Sequence, residues 1–180
     1  MRTRAILVTL LASTLPAQIG PTWIDAELPR WREFYRDLHR HPELSFREVR
    51  TAGKVAEAFA AAGLTGTHTV GGLGVVGVLA NGAGPTLLMR CDMDALPIGE
   101  RTGLEFMSEV RIEGEDGRVG GVMHACGHDL HMTAVAASVT WLASHRDRWR
   151  GTLVCVAQPA EERAGGAKAM LEDGLLTRFP

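Results

Sequence analysis

A continuous apolar run, Thr152 to Ala157, breaks directly into Gln158-Pro159-Ala160-Glu161-Glu162. A run without polar alternation suits a central strand buried on both faces, which requires a sheet covered by helices on either side. Open α/β sheets place ligand sites beyond the carboxyl ends of their strands, so the paired glutamates fall where chemistry is expected. A second apolar run, Thr86 to Cys91, leads the same way into Asp92-Met93-Asp94. Acids also favour the first turn of a helix, so Glu161-Glu162 alone is as readily a charged helix start.

The rest of the chain supplies the expected layers. From Trp23 to His39, Leu28, Trp31, Tyr35 and Leu38 recur at spacings of three and four, one face of an amphipathic helix. His41-Pro42 ends it, because proline disfavours helix at the residue before it. Glu48 to Ala62 predicts a second helix, with Ala52, Val55, Ala56 and Phe59 inward and Gly63 as its stop. Short apolar runs follow at Thr67 to Val70, Leu73 to Ala80 and Thr86 to Cys91. Asn81-Gly82, between the last two, is a hairpin signal. Gly99 to Gly120 reads as a surface loop or hairpin, His128 to Ser144 as a helix, and Ala164 to Leu175 as a short final helix. Helices alternating with strands predict an α/β fold, a three-layer sandwich with a mixed, mostly parallel sheet.

The chain has 180 residues and 46% hydrophobic content, enough for one domain with a real core. Its net charge of −2 offers no basic patch for nucleic acid. Arg2 and Arg4 precede a mostly apolar stretch, Ala5 to Leu15, too short to span a bilayer, and Pro16-Ala17-Gln18 offers a cleavage site. Residues 1–17 therefore read as a signal peptide and 18–180 as the folded part, with export and no membrane contact in the mature form. A cytoplasmic protein with an irregular or amphipathic N-terminus is the alternative. Three cysteines is an odd count for an oxidising compartment. Cys91 and Cys155 sit in apolar runs and read as buried, inert thiols.

Cys126 differs, because it lies in the polar run Met123-His124-Ala125-Cys126-Gly127-His128-Asp129. On an extended backbone residues i and i+2 share a face, roughly 6.6 Å apart along the chain. A thiolate and a neutral imidazole so placed suit zinc, manganese or a related divalent ion. Gly127 between them lets the backbone bend. His124 and His131 flank the pair, either as outer contacts or as ordinary solvated or hydrogen-bonded histidines. The vicinal glutamates then supply a ligand and a base.

Four segments together carry a specific resemblance: Leu38-His39-Arg40-His41-Pro42-Glu43-Leu44, Arg90-Cys91-Asp92-Met93-Asp94-Ala95-Leu96-Pro97, His124-Ala125-Cys126-Gly127-His128-Asp129 and Pro159-Ala160-Glu161-Glu162. In this order and spacing they resemble the amidohydrolase branch of the aminoacylase/carboxypeptidase metallopeptidase family, which includes hippurate hydrolases, N-acyl-amino-acid amidohydrolases and auxin-conjugate hydrolases. The resemblance runs from about Trp31 to the C-terminus. Position 91 departs from it, being Cys where alanine is common.

The resemblance implies part of the catalytic domain of a zinc-exopeptidase-like fold. It implies a two-metal amidase, using manganese or zinc, that cleaves the amide bond of small N-acyl amino acids. By motif position, Cys126, His128 and Glu162 are expected as metal ligands, and Glu161 as the base that activates water. Asp92 or Asp94 is expected to orient a ligand, without a choice between them. Family members are longer, with further histidine ligands and a smaller domain for dimerisation and substrate closure. The expectation is therefore a truncated form with reduced or no activity, with a homodimer open only to a full-length version. The alternatives are a non-catalytic metal-binding fragment that needs a partner, and a cysteine hydrolase with Cys126 as nucleophile, which leaves the glutamates without a role.

Overall fold

The computed structural model describes residues 21–114 and 117–179. The expected signal peptide at 1–17 lies outside the described residues. The elements run α1 (Pro21–Arg40), α2 (Val49–Ala61), β1 (Thr65–Val70), β2 (Gly74–Asn81), β3 (Thr86–Asp92), β4 (Arg111–Glu113), β5 (Val119–Gly121), α3 (His128–Ser144), β6 (Gly151–Gln158), α4 (Gly166–Glu172) and α5 (Leu175–Arg178). Among the described residues no helix is long and apolar enough to cross a membrane.

The main sheet has the order β1-β2-β6-β3. β6 is central, as its apolar run predicts. Leu153, Cys155 and Ala157 face one core with Leu38, Val55, Phe59, Met132 and Val139 from α1, α2 and α3. Val154 and Val156 face a second core with Val70, Val76, Met170 and Leu175, on the side of α4 and α5. Both faces of the sheet are thus covered, which makes three layers. Full burial of each Val, Leu, Phe or Met among them contributes roughly 1.5–3 kcal/mol.

The sheet is mixed, but parallel pairing does not dominate among the described residues. β3 and β6 are parallel, whereas β1–β2 and β2–β6 are antiparallel. The hairpin expected at Asn81-Gly82 does not form, because β6 inserts between β2 and β3. Asn81 is instead drawn to the segment before β6, where its Nδ2 donates to the carbonyls of Arg146 and Trp149, each at 2.7 Å. The antiparallel turn lies earlier, at Gly71 and Gly72, both with positive φ, between Val70 and its partner Gly74.

α1 ends before Pro42 and α2 before Gly63 (φ 81°), as expected. Trp31 and Leu38 are buried on α1, whereas Leu28, one turn earlier, is 45% exposed. The polar stretch 99–120 contains the strand β4, which pairs with β5 as a small hairpin. The final helix is split at Gly174, whose left-handed φ of 82° separates α4 from α5.

Candidate active site

Because β3 and β6 are parallel and paired through Asp92 and Gln158, their carboxyl ends lie side by side. The segments that follow them, Asp92 to Leu96 and Gln158 to Glu162, therefore converge. A hydrogen bond from the Met93 amide to the Gln158 carbonyl (2.9 Å) and the ion pair of Arg90 with Asp92 fix this junction. The third wall is the turn before α3. Met123 exchanges two backbone hydrogen bonds with Leu96, at 3.0 and 3.1 Å, which sets His124 to Asp129 against the strand ends.

Cys126 and His128 are not on an extended segment. The chain turns at Ala125 and Cys126, Gly127 caps α3 in the left-handed region (φ 74°), and His128 is the first helical residue. Glycine suits this turn because other residues strain at positive φ.

Asp94, 1% exposed, organises the site. Its Oδ1 accepts the Glu161 amide at 3.1 Å, and its Oδ2 accepts the Glu162 amide at 3.0 Å and the Ser45 hydroxyl at 2.6 Å. His128 Nδ1 lies 3.5 Å from Oδ1 and donates to the Asp94 carbonyl at 2.8 Å. A carbonyl only accepts, so Nδ1 carries a proton and Nε2 is left to face the glutamates. Burial alone would raise the Asp94 pKa, but hydrogen bonds from His128, Ser45 and the two glutamate amides outweigh it and pull it down to about 2. Asp94 in turn, against the opposing effect of burial, pushes His128 up to about 9. Of the two expected orienting carboxylates, Asp94 touches the site. Asp92 is turned to Arg90 and, at 3.6 Å, to His131 Nδ1.

His128, Glu161 and Glu162 each place a ligand atom within 4.8 Å of the others. Glu161 Oε2 is 3.9 Å from His128 Nε2 and its side chain is 44% exposed, so it is open to water. Cys126 is exposed and lies outside this group of three, next to it in the same turn, and the neighbouring Glu162 carboxylate is the main cause that pushes its thiol pKa up. Glu162 Oε1 is buried and has no hydrogen-bond partner among the described residues. An orphaned carboxylate oxygen beside a thiol, an imidazole nitrogen and a second carboxylate fits a divalent cation, which would neutralise the charge that burial penalises. The cysteine-hydrolase alternative fits poorly. A nucleophilic cysteine needs a lowered pKa, and the charges raising that of Cys126 are Glu162, Glu161 and Asp94.

The structure adds residues that the sequence reading left without a role. Glu48 is fully buried before α2 and accepts the Ala160 amide at 2.7 Å, which holds the turn carrying the two glutamates. Ala160 has φ 48° and Ala164 φ 50°, unusual for alanine, so that turn is strained on both sides of Glu161-Glu162. Gly166 sits under it, where a Cβ would lie 1.6 Å from the Pro159 carbonyl oxygen. Glu43 accepts the Arg50 and Thr51 amides at 3.1 and 2.7 Å and so anchors the start of α2. His39 is buried between Asp129 (2.6 Å) and Glu100 (3.0 Å). Burial opposes its protonation, but the two carboxylates raise its pKa. This trio ties α1 to the start of α3. His124 is also buried, and burial lowers its pKa. Neither of its ring nitrogens has a partner among the described residues. The signal for Glu43 and His39 was the polar run Leu38 to Leu44; for Glu48 there was none beyond a charged helix start.

The chain is 43% identical over 143 residues to the hippurate hydrolase of Campylobacter jejuni, and 40% identical over 147 residues to the N-acetylcysteine deacetylase of Bacillus subtilis. These matches cover 79% and 78% of this chain but 34% and 35% of the relatives, so the chain spans about a third of their length. Its backbone superposes with a TM-score of 0.74 on a dinuclear metal-binding peptidase of B. subtilis from the M20 family, at 38% identity, covering 84% of this chain and 41% of that one. A family profile matches residues 88–180, the stretch that holds both strand ends, the Cys126–His128 turn and the glutamate pair. The chain belongs to peptidase family M20/M25/M40.

Proposed function

We propose that this chain is part of a metal-dependent amidohydrolase that cleaves the amide bond of N-acyl amino acids. The observation that carries the reading is the cluster of His128, Glu161 and Glu162, with Cys126 against Glu162 and a buried, unpartnered Glu162 oxygen. Cys126, His128 and Glu162 would hold the cation, manganese or zinc, with a second ion beside it. Bound ions would supply Lewis acidity toward the scissile carbonyl and lower the pKa of water. Glu161, the more exposed carboxylate, takes the proton of the attacking water and returns it to the leaving nitrogen. Asp94 holds His128 in the tautomer that leaves Nε2 free, and fixes both glutamates by their amides.

A second reading is a metal-binding unit that acts only with a partner. It is favoured by the openness of the site, since two ions need more donors than the four side chains gathered here. Hydrolysis of hippurate and N-acetyl amino acids, assayed with added Mn²⁺ or Zn²⁺, tests the proposal. In a full-length version Glu161→Gln should abolish turnover with metal retained, and Glu162→Gln should weaken the metal. Metal binding without turnover even in a full-length version would favour the second reading. Full activity in Glu161→Gln would overturn the assigned base.

A further inference from the structure

Three consecutive backbone amides fasten the glutamate turn to two buried carboxylates. The Ala160 N–H donates to Glu48 Oε1 at 2.7 Å, the Glu161 N–H to Asp94 Oδ1 at 3.1 Å and the Glu162 N–H to Asp94 Oδ2 at 3.0 Å. Both acceptor residues are withdrawn from water. The peptide between Ala160 and Glu161 has a further tie, since the Ala160 carbonyl accepts the Gly165 and Gly166 amides at 3.1 and 3.2 Å. The peptide before it, between Pro159 and Ala160, is tied through Glu48.

That first peptide is where the turn resists. Ala160 has φ 48°, a left-handed value that its Cβ makes costly. Rotation toward an ordinary negative φ must turn one of the two flanking peptides. Turning the downstream one carries the Glu161 amide off Asp94, and turning the upstream one breaks the bond to Glu48. A hydrogen bond to a carboxylate is of the size that outweighs one left-handed alanine. Glu48 is brought there by the segment 43–48, which grips both strand ends: the Glu43 carbonyl accepts the Ala95 amide at 2.8 Å, and the Ser45 hydroxyl donates to Asp94 at 2.6 Å. Burial pushes the Glu48 pKa up against the hydrogen bonds from backbone amides, that of Ala160 foremost, and its Oε2 has no partner among the described residues. Burying such a group costs stability, so what Glu48 contributes lies in the bond from Ala160.

We propose that Glu48 is a positioning residue: by holding Ala160 in its left-handed conformation, it keeps Glu161 and Glu162 turned to His128. The consequence for turnover rests on the amidohydrolase reading, whereas the tie itself does not. Substitutions at Glu48 separate the bond from the bulk of the side chain. Glu48→Gln keeps an acceptor for the Ala160 amide. Glu48→Met keeps the length without an acceptor, and Glu48→Asp keeps the carboxylate but is one methylene too short. In the metal-free chain, hydrogen exchange of the Glu161 and Glu162 amides, followed by NMR, should be about tenfold faster in Glu48→Met and Glu48→Asp and within about twofold of the parent in Glu48→Gln. In a full-length version saturated with Mn²⁺, Glu48→Met and Glu48→Asp should lose about 10–100-fold in kcat with KM changed less than about threefold, the cost of a base displaced by about an ångström. Glu48→Gln should keep most of the turnover. Adding Ala160→Gly to Glu48→Met should recover most of both losses, because glycine takes a positive φ without strain. A general loss of stability would not be mended in this way, and urea midpoints of the same chains check for one. Turnover that merely follows the midpoint across the set, parent-like amide exchange in Glu48→Met and Glu48→Asp, or no recovery with Ala160→Gly would overturn the proposal. A full-length parent without turnover would instead strike the amidohydrolase reading, and amide exchange would still decide the tie.

Discussion

Replacing Asp94 by asparagine tests how far the site depends on one buried carboxylate. Each of its oxygens faces a backbone N–H that cannot turn: Oδ1 faces Glu161 at 3.1 Å and Oδ2 faces Glu162 at 3.0 Å. Whichever way the new amide is set, its NH₂ group opposes a donor. One buried unsatisfied donor costs about 1–3 kcal/mol. Loss of the charge can be sized independently, since a pKa moved from 3.8 to about 2 corresponds to roughly 2 kcal/mol. The same hydrogen bonds cause both effects, so they overlap, and Asp94→Asn should cost about 2–3 kcal/mol in all. Urea unfolding of the metal-free chain should show this as a midpoint lowered by about 1 M. Metal affinity should fall about 10–100-fold, because His128 loses its orienting partner. Asp92→Asn should change metal affinity far less, since Asp92 is engaged with Arg90 and His131. An Asp94→Asn chain with the parent's midpoint and Mn²⁺ affinity, by calorimetric titration, would refute the reasoning.

Stability of the metal-free chain should depend on pH at both ends. Asp94 is depressed to about 2, so its contribution is present above its unfolded value of 3.8 and is lost as pH falls from there toward 2. His128 is raised from 6.5 to about 9, so its contribution is complete below 6.5 and is lost as pH rises to 9, and His39 shifts in the same direction. Urea midpoints should therefore peak between about pH 4 and 6.5, and a profile flat from 6.5 to 9 would count against the His128–Asp94 pairing. Cys126→Ala and His128→Ala should each sharply reduce Mn²⁺ or Zn²⁺ retained after dialysis, by elemental analysis. Cys91→Ala and Cys155→Ala should not, because both thiols are fully buried and burial pushes their pKa values up, that of Cys155 to about 12.

The local elements were legible because their signals are local. The unbroken apolarity of residues 152–157 gave a central strand, Gly63 stopped α2, and the helix from His128 to Ser144 appears with the bounds read from its pattern. Residue chemistry likewise marked Cys126, His128 and the glutamate pair. Strand order was not legible. Asn81-Gly82 is a sound turn signal, yet β2 and β3 are parted by β6, a strand some seventy residues later in the chain, because pairing across the sheet is settled by which strand best fills the core. The choice of Asp94 over Asp92 was also beyond sequence. Residues two apart on an extended backbone share a face, and only the parallel pairing of β3 with β6 and the turn at Ala160 decide which carboxylate meets the glutamate amides. Glu48 and His39 belong to the same class: their partners, Ala160 and Asp129, lie 112 and 90 residues away, and such contacts exist only once the layers have packed.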